Sequence, residues 1–134
     1  MKYWLVKTEP DVYSWDTFAA DRSTSWDGIR NYAARNHMRN MAKGDTVIFY
    51  HTGEERRAVG LATVLRTAYP DPTADDDTWS CVDLKAGRRF KTPVTLEQVK
   101  SDPVLKNTAL VKIGRLSVLP LTSEEFDRFV SLAG

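Results

Sequence analysis

About six short runs of β-branched and aromatic residues constrain this chain more than any other feature. Their spacing along the 134 residues is too irregular for repeated βαβ units. Residues 2–7 and 46–51 read as strands, and 58–67 as a third, with Gly60 marking a bulge or a close approach. A strand over 79–84 is expected to turn at Ala86-Gly87 into 88–92, and 116–119 reads as a late strand. Short helices are expected over 14–20, capped by Ser14, and from the cap Asn31 to about residue 40. Thr95-Leu96-Glu97-Gln98 and Thr122-Ser123-Glu124-Glu125 spell capping boxes for two more, the second with Phe126, Phe129, Val130 and Leu132 or Ala133 on its apolar face. Residues 23–28 and the acidic stretch 70–77 read as loops. The expectation is an α+β fold around a strongly bent sheet or small barrel, in one domain over residues 1–134.

Composition narrows the chemistry. Hydrophobic content of 42% and charged content of 28% are those of a globular chain, not a disordered one. Net charge is +1, which excludes a polycationic nucleic-acid binder, yet the signs are segregated. Residues 28–43 hold Arg30, Arg35, Arg39 and Lys43 without an acid, and residues 85–91 hold Lys85, Arg88, Arg89 and Lys91 without one. Such segregation permits a local anion-binding face. The single cysteine, Cys81, excludes an internal disulfide and a multi-cysteine zinc site, and reads as a small buried hydrophobe suited to a reducing compartment. No segment reads as a signal peptide or a membrane span, so the cytoplasm, or the nucleus of a eukaryote, is the expected location.

Catalytic patterns are absent: there is no nucleophile elbow, no His-Glu-x-x-His and no P-loop. The two histidines, His37 and His51, show no metal-binding spacing, and no metal or cofactor is expected. His37 reads as a solvated helix residue. Phe49-Tyr50-His51 places aromatic and polar groups at a strand end, and Lys7-Thr8-Glu9-Pro10 ends the first strand with three hydrogen-bonding side chains and a stop.

Binding is better supported. Trp26-Asp27-Gly28-Ile29-Arg30-Asn31-Tyr32-Ala33-Ala34-Arg35-Asn36 combines two aromatics, two guanidiniums and two carboxamides. Aromatics stack on flat rings, carboxamides read donor and acceptor edges, and arginines hold phosphates. Trp26, in polar surroundings, either plugs the edge of the core or lines a pocket.

Together with Trp4-Leu5-Val6-Lys7-Thr8-Glu9-Pro10, Phe49-Tyr50-His51, Ala68-Tyr69-Pro70-Asp71 and the ending from Arg115 to Phe126, this motif resembles the EVE domain family over essentially the whole chain. The resemblance implies a PUA-like fold, a small mixed β-barrel with flanking short helices, related to YTH and ASCH domains. It also implies DNA or RNA carrying a modified base as partner. Lys7 and Thr8 match the strand-end pair beside the YTH pocket and Trp26 one cage wall, with Tyr69 or Trp79 as the second. Thr8, Asn31 and Asn36 are candidates for reading the base edge, and Glu9 for accepting from an exocyclic amine. Pro10, Asp27, Tyr32, Phe49, Tyr50 and His51 complete the expected pocket. Arg30, Arg35 and Arg39 would hold phosphates, with Arg88 and Arg89 in a weaker second patch. The competing readings are an enzyme acting on a modified nucleotide, with Glu9, Asp27 or His51 as acid or base, and a domain that offers the same pocket to a small molecule or protein.

Overall fold

A computed structural model describes all residues, 1–134. In chain order the elements are β1 (Tyr3–Thr8), α1 (Trp15–Asp21), β2 (Ser23–Trp26), α2 (Tyr32–Arg39), β3 (Thr46–His51), β4 (Arg57–Pro70) and β5 (Ser80–Thr95). Then come α3 (Leu96–Ser101), a 3-10 turn (Leu105–Asn107), α4 (Ala109–Lys112), β6 (Val118–Leu121) and α5 (Ser123–Leu132). The six strands form one mixed sheet in the order β2-β5-β4-β3-β1-β6. Only β1 and β3 run parallel. The α+β class expected from the strand spacing is what the chain adopts.

The expected barrel does not close. Strands β2 and β6, four residues each, are the two edges and do not pair with one another. The long β4 and β5 bend through several register shifts, around Gly60 and again between Val64 and Tyr69, which supplies curvature without closure. At one edge Pro120 has no N–H to offer another strand, and at the other β2 stops at a turn where Gly28 takes φ +76°.

Two local expectations are also corrected. Ala86-Gly87 is not a hairpin: β5 runs unbroken through both, Ala86 lies opposite Ala62, and a Cβ on Gly87 would stand 2.7 Å from the Leu61 carbonyl oxygen. Gly87 therefore lies in a bulge of β5, where the backbone of the paired strand β4 comes too close for a side chain. Residues 23–26 are not loop, because Ser23 to Trp26 pair with Lys85 to Val82. The polar residues that suggested a loop belong to an edge strand, where one side of the ribbon is solvated.

The core is one aromatic-rich cluster. Phe18 stacks on Phe49 at 5.1 Å, and Trp15 meets both edge-on. The close approach expected at Gly60 is made by Trp15, whose ring atoms lie 2.6 Å from where a Cβ would sit. Asp45, buried, ties the N-terminal strand down: its carboxylate accepts from Trp4 Nε1 at 3.0 Å and from the backbone N–H groups of Lys2 and Ala42. Cys81 is buried, as its apolar surroundings implied.

Candidate nucleic-acid interface

Between the end of β1 with the loop that follows it and the edge strand β2 lies a cleft of about 310 Å³. It is lined by Thr8, Val12, Tyr13, Thr24, Ser25, Trp26 and Asp27. Strand alternation builds it, turning the Trp26 side chain inward while Ser23 and Ser25 stay exposed. The Trp26 indole is 7% exposed and held edge-on against Phe49 at 5.5 Å behind it and Tyr13 at 6.2 Å beside it. Tyr13 is itself fixed by donating from its hydroxyl to Asp21 at 2.9 Å. Val12, 76% exposed, forms an apolar lip.

The polar groups of the cleft are available. Trp26 Nε1–H makes no hydrogen bond within the protein, yet no buried side-chain nitrogen or oxygen is both sealed from solvent and unpaired. The indole N–H therefore opens to solvent as a donor. Asp27 is exposed and its carboxylate pairs with nothing, and Thr8 Oγ1 makes only a long 3.4 Å contact to the Glu9 carbonyl. Two aromatic rings, a donor, a carboxylate acceptor and hydroxyls thus share a space at the small end of the range of ligand pockets, about 300–1,000 Å³.

Of the residues singled out in the sequence, Thr8, Trp26 and Asp27 line this cleft. Lys7 and Tyr50 do not: side chains alternate along a strand, and both line a different cleft on the opposite side of β1 and β3. Glu9 and Pro10 line a separate hollow with residues 52–55. Phe49 is wholly buried, supporting Trp26 from behind. His51 is committed to the fold: its Nε2 accepts from the Trp15 N–H at 3.0 Å, which leaves the proton on Nδ1 to donate to Glu55 at 2.9 Å. That bond, foremost, holds the Glu55 carboxyl below its usual range. Asn31 caps α2 by accepting from Ala34 N at 2.9 Å, and Asn36 accepts from Arg35.

Neither expected second wall lines the cleft. Tyr69 stands behind β2, its hydroxyl donating to Asp83 and in contact with Ser25 at 3.1 Å, with Arg66 over its ring at 3.8 Å. The bond to Asp83 pushes the phenol up to about 12. Trp79 packs instead with Tyr32 at 5.0 Å, and Arg35 lies over both rings. The second aromatic of the cleft is Tyr13. Its sequence signal was only an aromatic between a strand exit and a capped helix.

The basic residues fall into two groups. Arg30, Arg35 and Arg39 lace the segment over 71–80: Arg30 to Asp71 and Thr73, Arg35 to the Thr78 carbonyl, Arg39 to that carbonyl and Ser80 Oγ. Burial alone would raise the Asp71 carboxyl, but hydrogen bonds from Thr73, Gly28 and Arg30 outweigh it and bring it to about 2. No cation lines the Trp26 cleft itself. Arg30 follows Asp27 by three residues and its side chain is 39% exposed. Arg88 and Arg89 belong to β5, and Arg89 pairs with Asp16 at 2.8 Å, apart from the 71–80 segment.

An open mixed sheet with short helices and an aromatic cleft at its β2 edge defines a PUA-like α+β domain. The EVE domain model matches residues 2–132, and the chain belongs to the EVE domain family. Mouse thymocyte nuclear protein 1 is 35% identical over 164 aligned residues, covering 97% of this chain and 73% of the mouse protein. A Rhodopseudomonas palustris protein solved by NMR is 46% identical, with a TM-score of 0.95 over 100% of this chain and 94% of that one. Human thymocyte nuclear protein 1, solved in complex with 5-methylcytosine containing DNA, is 35% identical, with a TM-score of 0.92 over 99% of this chain and 98% of that one.

Proposed function

We propose that the chain is a nucleic-acid reader that holds a modified base, of the 5-methylcytosine kind, in the Thr8–Tyr13–Trp26 cleft without transforming it. The observation that carries this is that the Trp26 indole N–H and the Asp27 carboxylate, both without a partner in the protein, belong to residues that line one cleft with Tyr13. A cytosine edge offers an exocyclic amine for the carboxylate and acceptors for the indole N–H. The relative solved with 5-methylcytosine DNA shares 35% of its residues with this chain.

The energetics set what the cleft must do. Extruding a base costs a few kcal/mol, and stacking returns about 1–3 kcal/mol per base. One aromatic barely balances the cost, so Tyr13 and the edge hydrogen bonds supply the surplus. Burying one methyl adds only ~0.8 kcal/mol, about fourfold in affinity. Arg30, Arg35 and Arg39 support the flanking strand by exchanging their present carbonyl and carboxylate partners for phosphates. Turnover is disfavoured by the absence of a free acid–base pair: His51 and Glu55 are bonded to each other, and Glu9 lies outside the cleft. A nucleic-acid partner would be met in the cytoplasm of a bacterium or the nucleus of a eukaryote.

The test is fluorescence anisotropy with single strands carrying one 5-methylcytosine or one cytosine. The parent chain is expected to prefer the methylated strand about fourfold. Asp27→Asn, which keeps shape and removes charge, should weaken binding of both strands tenfold or more, since hydrogen bonds to charged groups contribute about 1.5–3 kcal/mol. Unchanged binding by Asp27→Asn and by Tyr13→Leu would exclude this cleft, and release of a modified product on long incubation would establish an enzyme instead.

A further inference from the structure

We infer that the second cleft, on the opposite side of β1 and β3, is a site for a phosphate monoester, built from Lys7, Tyr50 and Arg56. It encloses about 200 Å³, enough for a tetrahedral oxyanion and a few attached atoms but less than a drug-sized ligand requires. Lys7 and Tyr50 sit opposite one another in the parallel β1–β3 pair, which sends their side chains into the same space.

Three observations point to a ligand here. First, Tyr50 is 3% exposed and its hydroxyl has no hydrogen-bond partner, yet no buried side-chain oxygen is both sealed and unpaired. The phenol therefore directs a free O–H into the cleft. Burial keeps that proton on, pushing the phenol up to about 12. Second, Lys7 Nζ donates to the Gly114 carbonyl at 3.0 Å, which positions the ammonium at the wall while leaving it two further N–H donors. Third, Arg56 takes part in none of the chain's ion pairs and adopts φ +44°, the left-handed region an arginine rarely occupies. Its carbonyl accepts from Leu96 N at 2.8 Å, so the unusual backbone is pinned, and its charge reaches the Tyr50 oxygen. Strained residues of this kind concentrate at ligand clamps.

Charge chooses the occupant. The lining holds two cations and no carboxylate, in a chain whose net charge is only +1. Two cations and a neutral O–H match a dianionic tetrahedral group, which takes charge-assisted bonds from several directions. Leu96 and Leu110 are also in the lining and offer apolar surface to the carbon that bears the phosphate. The phosphate has two sources, a small phosphomonoester or the terminal phosphate of a nucleic-acid strand. The site is independent of the base cleft, since Lys7 and Thr8 face opposite ways.

Amide chemical shifts of Gly53, Arg56 and Gly114 report on this cleft. Inorganic phosphate should shift them saturably, whereas acetate should not. Tyr50→Phe removes only the hydroxyl and should weaken phosphate roughly tenfold. Arg56→Gly removes the guanidinium while relieving the backbone, so it folds at least as well and should abolish saturation. An unmodified oligonucleotide with a 5′-phosphate, set against the same strand with a 5′-hydroxyl, separates the sources. A preference for the phosphorylated strand identifies a strand end, and equal binding of both strands alongside saturation by phosphate identifies a small molecule. Absence of saturation by phosphate, or equal affinity in all three proteins, overturns the site. Acetate binding as tightly as phosphate overturns the assignment of a dianion.

Discussion

Gly60 is the residue on which the aromatic core turns. Any side chain there would press into the Trp15 ring, whose atoms stand 2.6 Å from the position of a Cβ. Trp15 leans in turn on Phe18 and Phe49, and Phe49 supports Trp26. Gly60→Ala is therefore expected to cost about 1–3 kcal/mol, the usual range for overpacking, read as a lowered urea midpoint at unchanged m-value. Its φ is not positive, so strain of the backbone contributes nothing and a near-neutral result would mean that Trp15 moves aside freely. At this scale the lining of the candidate cleft was half legible. Trp26 and Asp27 were visible in the sequence because a large ring in polar company is unusual. Tyr13 was not, because nothing local says which side of a strand exit a ring will turn to. Lys7 and Thr8 are neighbours in sequence, but the two-residue period of a strand puts them in different clefts.

Among the elements, α2 holds the segment over 71–80 through its arginines. Its first turn is closed by Asn31, whose carboxamide accepts from Ala34 N, and its outer face carries Tyr32, Arg35 and Arg39 against Trp79 and the Thr78 carbonyl. Removing the cap in Asn31→Ala is expected to lower stability by about 1 kcal/mol. Faster amide exchange should then appear in Ala33–Arg35 before the sheet is affected, and uniform exchange across the chain would show that the cap is dispensable. The capping boxes at Thr95 and Thr122 form as their spacing implied, because capping is decided within four residues. Strand boundaries were less legible. Residues 23–26 pair only because Val82 to Lys85 come to meet them, and Gly87 looks like a turn unless the paired strand β4 is known. Closure of a barrel is likewise decided by distant edges, and no local pattern encodes that β2 and β6 stay apart.

For the molecule as a whole, stability depends on carboxylates held ionised within the fold. Asp45, Asp71 and Asp102 are all buried, and burial alone would raise each of them. Hydrogen bonds outweigh it: from Ala42, Trp4 and Lys2 at Asp45; from Thr73, Gly28 and Arg30 at Asp71; and from Arg128, Leu105 and Val104 at Asp102. A carboxyl depressed on folding stabilises the native state fully above its unfolded pKa, near 4, and loses that contribution as pH falls through the folded value. For Asp71 that value is about 2, so the thermal midpoint is expected to hold from neutrality to about pH 5 and to drop between pH 4 and 2. Asp71→Asn should flatten part of that drop, and an identical acid profile would remove Asp71 from the account. Strand binding should weaken with salt at a slope of roughly −2 to −3, the value for three phosphate contacts. A steeper slope would require cations beyond Arg30, Arg35 and Arg39.

The Trp26 indole rides on a four-residue ribbon bonded to the sheet along one side only, by β5. What holds that ribbon on its other side is the packing of the indole against Phe49 and Tyr13, so Trp26 anchors the edge strand as well as lining the cleft. Change at the exposed Ser23 and Ser25 is therefore cheap, whereas change at Trp26 reaches through Phe49 into the interior.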